Sequence, residues 1–433
     1  MTVSSDQTVD FDRLFTNDEL TIRCPYAVRP HAPVEWVDAI QTFVVSGADA
    51  CAEVLKHPEV YSSANVEGAH TERIHTEVLR RAAADPRMAD FRARGYGMIK
   101  TMRVLLNADP PVHTRQRKLI SRAFSARRVA DMEAFIRRTA ETLANDLVDG
   151  QADLMAQLAI PLPLIVIAEA LGVDPGDRAL FRTWSDAFLL ATGNLDPSED
   201  EFNEMVETRV GFDRYMVSVI DERLRSPKDD LMQDLVDATT AGESPLSLDE
   251  LLWILKVLLV GGNETTAKQL GSAFMVLLEQ PELQERLRGD PVAIARFTEE
   301  SLRMEGSLQG FYRLVTVDTE LSGVSIPAGS NVWVAATLAN RDPAVFACPA
   351  DLDLDRPATA HHLTFSVGPH FCVGAALAKA EIRICLEIVL ERLQDLRFAS
   401  GVRSRFDIPY TPSYILHGPL TLPVRFASAV AAS

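Results

Sequence analysis

The segment from Ser247 to Pro281, SLDELLWILKVLLVGGNETTAKQLGSAFMVLLEQP, most narrows the folds open to this chain. Ser247 and Glu250 have capping-box spacing, and the helical pattern then runs from Leu251 to Gln280 until Pro281 ends it. At about 1.5 Å per residue such a helix is roughly 45 Å long, enough to cross the middle of a domain. Helical signals also dominate elsewhere. Ser125 caps ARRVADMEAFIRRTAETLANDLVDG, which carries an apolar stripe of period 3.6 and a stopping Gly150. Strand-like alternation is confined to short pieces near 34–46, 313–336 and 408–426. No repeat, low-complexity tract or Gly/Ser linker marks a boundary. The expectation is a mainly α protein with small accessory β-sheets, forming a single domain over residues 1–433.

Charge and cysteine usage exclude several functions. The net charge of -18 argues against nucleic acid or an anionic membrane as partner, since such surfaces are built from excess Lys and Arg. The first twenty residues show no basic region followed by an apolar core, and the apolar windows at 158–171 and 254–262 are shorter than a bilayer span. A cytoplasmic protein is expected. Five cysteines form no C-x-x-C pair, so most should be reduced core or surface thiols.

Cys372 has a context that asks for more. In SVGPHFCVGAAL, Gly368 and Pro369 make a turn, Gly374 permits close backbone approach, and an amphipathic helix follows. A thiol there meets the positive end of a helix dipole, which favours thiolate and hence a metal ligand or a nucleophile. The plainer reading is a buried, inert thiol.

Three other segments carry chemistry. Gly261 and Gly262 sit mid-helix at a cost of about 1 kcal/mol each relative to Ala, so either a ligand or a neighbouring helix needs that helix thinned. Glu300 and Arg303, one turn apart in EESLR, can pair on one face. His113 and Arg117, four apart after a double proline, suit the gripping of anions. Arg115, Lys118, Arg122, Arg127 and Arg128 surround them as either an ordinary basic surface or a docking patch for an acidic partner.

Together these segments resemble the cytochrome P-450 (heme-thiolate) family. Phe365, Gly368, His370, Cys372 and Gly374, continuing into Leu377, Ala378 and Glu381, match its cysteine loop, with Ser366 where the family usually has glycine. The stretch LLVGGNETT at 258–266, then Glu300/Arg303, ANRDP at 339–343 and LDLDR at 352–356 follow in the family's order. The resemblance covers roughly residues 100 to 425 and implies the cytochrome P-450 fold with heme b (iron protoporphyrin IX) as cofactor. It makes Cys372 the axial iron ligand and Glu264 and Thr265 the acid–alcohol pair that delivers protons, beside Gly261. It also assigns His113, Arg117, Arg313 and His370 to the heme propionates, and Glu300, Arg303 and Arg356 to a structural network.

The implied reaction inserts one atom of O2 into a small hydrophobic substrate, with NAD(P)H electrons arriving through a separate ferredoxin and reductase. By family position, pocket walls would include Trp184, Phe188, Val260, Leu308, Phe311, Tyr414 and Ile415, and the 62–109 connection would carry a pocket-closing insert at 66–102 with a helical pattern in HTEVLRRAAADPRMADFRA. Three other readings stay open: a peroxide-driven heme-thiolate oxidase, a non-catalytic heme sensor or carrier, and zinc held by His361, His362, His370 and Cys372.

Overall fold

The computed structural model describes residues 11–15, 18–28, 30–64, 69–86, 93, 103–147, 150–193, 197–357 and 361–428. Eleven α-helices of seven or more residues lie among them: α1 Ala48–Lys56, α2 Ala69–Ala84, α3 Val112–Ile120, α4 Ala126–Asn145, α5 Pro161–Ala170, α6 Arg178–Gly193, α7 Glu199–Arg225, α8 Leu231–Asp237, α9 Leu248–Glu279, α10 Pro291–Met304 and α11 Ala375–Arg392. The chain divides into two compact units, one comprising residues 1–62, 132–163 and 264–433, the other 63–131 and 164–263.

Among the described residues, all the strands fall in the first unit. A five-stranded sheet has the order β1-β2-β8-β5-β3, built from β1 Val34–Val37, β2 Thr42–Val45, β3 Tyr61–Ser62, β5 Phe311–Val315 and β8 Asn331–Val334. Only the β2–β8 pairing is parallel. Side chains alternate across it as a period of two requires: Val332 and Val334 enter the core shared with Cys51, Val54 and Leu55 of α1, while Trp333 joins Val37 and Val44 on the other face. A three-stranded sheet, β4 Gln151–Asp153, β10 Pro423–Ser428 and β9 Leu393–Phe398, and a hairpin, β6 Thr319–Leu321 and β7 Val324–Ile326, complete the β structure. The small accessory sheets are as expected; β9, β4 and β3 are additions that carry too little alternation to stand out in the sequence.

In the second unit α7 is the central packing element. Phe202, Met205, Val206 and Val210 of α7 bury Ile74 and Val78 of α2, and Phe212 of α7 meets Trp184 and Phe188 of α6 edge-on. Ser198 and Glu201 form a reciprocal capping box that starts α7. The helix in the 62–109 connection begins at Ala69, earlier than its sequence pattern, and ends at Ala84. Pro86 explains the end, because its ring disfavours helical geometry at Asp85. Of the expected pocket-closing segment 66–102, residues 66–68, 87–92 and 94–102 lie outside the described residues.

The long helix is present as α9, and its capping box is made: Ser247 Oγ accepts from Glu250 N–H at 3.1 Å and Glu250 Oε2 accepts from Ser247 N–H at 2.8 Å. Among the described residues no helix is long and apolar enough to cross a membrane.

Candidate active site

The five cysteines separate cleanly by environment. Cys24, Cys51 and Cys385 are buried, and burial pushes their thiols up, the behaviour of inert core cysteines. Cys348 is exposed. Cys372 alone is half-buried, and it lies three residues before α11, whose N-cap Gly374 offers no side-chain cap and whose first turn has no acidic residue. The positive dipole end of α11 therefore begins three residues after Cys372, with no acidic side chain in its first turn to offset it. The loop is closed by Cys372 N–H donating to Phe365 O at 2.8 Å, after a 3-10 turn at Gly368–His370.

Close backbone approach belongs to Gly368 and not to Gly374. At φ +70 a Cβ on Gly368 would stand 2.8 Å from Leu55 O, whereas a Cβ on Gly374 would meet nothing within 4 Å. Ser366 also adopts a left-handed φ of 59, which explains why the family usually has glycine there. Phe365 is half-buried beside His362 and under Lys379. His370 is half-buried, and Arg313 on β5 is buried with Nη1 donating to Tyr312 O at 2.6 Å. His361 is exposed and His362 faces Glu299 at 3.4 Å. No group of His, Cys, Asp or Glu able to hold a metal ion occurs among the described residues, which overturns the zinc reading.

α9 contributes to both units. Along its buried length, Val257, Val260, Gly261, Glu264 and Thr265 are only half-buried or exposed, and their 3-1-3-1 spacing places them on one stripe. The two glycines have different reasons. A Cβ on Gly261 would meet nothing within 4 Å, but one on Gly262 would lie 3.3 Å from Ile167 Cδ1 of α5. Gly262 thus serves helix packing and Gly261 keeps a face open. Glu264 is joined by Lys268 one turn later, with Nζ 3.5 Å from Oε1, a partner that a reading centred on the glycines passed over.

Glu300 and Arg303 are a buried bidentate pair on α10, at 2.7 and 2.8 Å. Arg356 Nε joins Glu300 Oε1 at 3.1 Å, and Arg303 also donates to the carbonyls of Asn340, Pro349 and Asp351. Burial pushes the Glu300 carboxyl up, but hydrogen bonds from Arg303 and its other partners hold it below the usual range. The network staples the irregular connection after Asn340 to α10.

In the second unit α3 carries His113, buried, and Arg117, half-buried, on one face. The basic surroundings are less basic than the sequence implies. Arg115 pairs with Glu250, Arg122 with Asp234, Arg127 with Asp131 and Asp229, and Arg128 with Asp229 and Asp234.

The expected pocket walls divide. Trp184 and Phe188 are buried in the α6–α7 aromatic core. Tyr414 packs on Phe15 and Trp333 and shares a 3.0 Å hydroxyl contact with Tyr312, so it is also mainly core. Phe311 packs against the sheet cluster. Leu308 is half-buried and bridges to Leu416, while Ile415 is exposed and accepts from Gln309 N–H at 2.8 Å, so these two are brought together. Val260 stays on the open stripe of α9.

Comparison with known proteins accords with this geometry. The family described as Cytochrome P450 matches residues 179–397. Cytochrome P450 monooxygenase PikC of Streptomyces venezuelae is 37% identical over 356 residues, 80% of this chain and 83% of that protein. Nocardicin C N-oxygenase of Nocardia uniformis subsp. tsuyamanensis is 37% identical over 346 residues, 77% of this chain and 84% of that one. The structure of cytochrome P450 CYP109Q5 from Chondromyces apiculatus superposes with a TM-score of 0.80 at 30% identity, covering 98% of this chain and 100% of that chain. The chain belongs to the cytochrome P450 family and is an oxygen-incorporating oxidoreductase of the bacterial type.

Proposed function

We propose that this protein is a heme-thiolate monooxygenase in which Cys372 binds the iron and the substrate is a small hydrophobic organic molecule. The observation that carries the reading is the contrast among the cysteines: only Cys372 is half-buried at an uncapped helix N-terminus. The family's cofactor is heme, which supplies activation of O2 with electrons that originate in NAD(P)H. The residues present fit it. In the first unit one soft ligand in a glycine turn is the donor set of a heme thiolate, and buried Arg313 and half-buried His370 are suited to a carboxylate; in the second, buried His113 and half-buried Arg117 are likewise suited to one, and Gly261 leaves a face of α9 open.

Each residue then has a task. The α11 N-terminus and the Phe365–Cys372 loop position the sulfur. Thr265 and Glu264 move protons along the open stripe of α9. Val260, Leu308 and Ile415 offer apolar surface that excludes water from the reacting bond. An intact Glu264–Thr265 pair favours reductant-driven turnover over a peroxide-driven route, which needs no relayed protons, and a non-catalytic carrier is disfavoured by relatives named as oxygenases. A separate ferredoxin and reductase in the cytoplasm would supply electrons. With so many of the α3–α4 arginines paired, docking would rely on Lys118 and on the Cys372 face more than on a broad basic patch.

Reduced protein under carbon monoxide should show the absorption of a thiolate-ligated heme, and Cys372→Ala should lose it; a histidine-type spectrum in the wild type would sink the assignment. Once a compound library screened by heme spin state yields a ligand, Thr265→Ala should divert reducing equivalents from product to peroxide, and unchanged coupling would remove its role.

A further inference from the structure

We propose that Lys268 is a positioning residue for the proton relay, anchoring the Glu264 carboxylate to the turn that carries Ile415. The inference rests on the reading of Glu264 as a relay acid.

Lys268 is 4% exposed at its side chain, a burial that lysines rarely reach without a partner. Its Nζ stands 3.5 Å from Glu264 Oε1 and donates to Pro419 O at 3.3 Å. Burial pulls its pKa down and Glu264 acts against that. The ammonium is held from behind as well. Gly418 lies against the stem, where a Cβ would be 2.8 Å from Lys268 Cβ and 2.9 Å from Cδ. The same turn is closed by Thr411 N–H donating to Gly418 O at 3.1 Å and by the Tyr410–Pro419 bridge. Surface i,i+4 pairs swing freely and stabilise little; this one has its cation locked by tertiary packing.

A buried ammonium is a poor device for stability alone, since an apolar side chain of similar volume often does as well or better. What it can do is restrict a half-buried carboxylate to one position on the open stripe of α9. It also couples that position to the 410–419 turn at Gly418, three residues after Ile415 and two after Leu416.

The test uses the heme-loaded protein with Lys268→Met, Lys268→Gln, Lys268→Arg and Glu264→Gln variants, each first checked for fold by urea midpoint. Infrared difference spectra against Glu264→Gln isolate the Glu264 carboxylate band without turnover. The second readout is the ratio of water to hydrogen peroxide formed from O2 with NADPH, a [2Fe–2S] ferredoxin and its reductase, with no organic substrate. Four electrons and four protons give two waters, whereas two of each give peroxide, so the ratio reports proton delivery. Lys268→Met and Lys268→Gln should shift the band and lower the ratio on the order of 10-fold, less than the loss of a general acid itself, and Lys268→Arg should restore both. A band and ratio unchanged in Lys268→Met while Glu264→Gln lowers the ratio would overturn the role of Lys268 and leave the relay standing. A ratio unmoved by Glu264→Gln would instead overturn the relay reading, and the anchoring role with it.

Discussion

Ser366 shows how one residue can carry strain that its motif normally avoids. Its φ of 59 lies in the left-handed region, where a Cβ costs roughly 1–2 kcal/mol, and it sits buried six residues before Cys372. Among the described residues its hydroxyl makes a long 3.4 Å contact to Val367 O, which offsets little of this. Ser366→Gly should raise the unfolding free energy by about 0.5–1 kcal/mol after the extra entropy of glycine is counted, read as a higher urea midpoint with the carbon-monoxide spectrum unchanged. Glycine need was legible at Gly368 but not the difference between Gly261 and Gly262. Two adjacent glycines look alike in a string, and only the approach of Ile167 separates packing from openness.

Among the elements, α10 shows how a weak local signal becomes strong in place. An E-x-x-R pair is common on helix surfaces, where it contributes a few tenths of a kcal/mol. Here Arg303 is fully buried and links Glu300 to three carbonyls of the following connection. Arg303→Met should cost about 3–5 kcal/mol, the penalty for leaving Glu300 buried beside Arg356 alone, and should loosen residues 340–356. Chemical denaturation measures the first effect and amide hydrogen exchange the second. The aromatic positions on α6 went the other way: Trp184 and Phe188 fill the packing against α7 because an apolar side chain facing a neighbouring helix is first of all core.

Across the molecule, distant segments meet in a buried charge cluster that sequence spacing could not announce. Glu305 at the end of α10 receives Arg405 at 3.1 Å and His417 at 3.2 Å, and Arg405 also binds Glu279 at the end of α9. Burial raises the Glu305 carboxyl, but Arg405, His417 and Arg341 outweigh it and bring it to about 2 from an ordinary 4.5. A depressed carboxylate stabilises fully above its unfolded pKa and loses that contribution as pH falls toward the folded one. Stability should therefore drop by about 3 kcal/mol between pH 4.5 and 2 through this group, and Glu305→Gln should flatten that part of the pH–stability curve, followed by urea unfolding.

The amino-acid string alone determined the long capped helix, the helix-rich class, the cysteine loop and the order of the motifs. All of these depend on local periodicity, turn chemistry and short spacings. Tertiary structure alone decided which arginines are neutralised, which glycine is open, which aromatics are core, and that Lys268 stands behind Glu264. Those properties are set by what lies across from a residue, and burial, pairing and the electrostatic environment arise only when segments far apart in the chain are brought into contact.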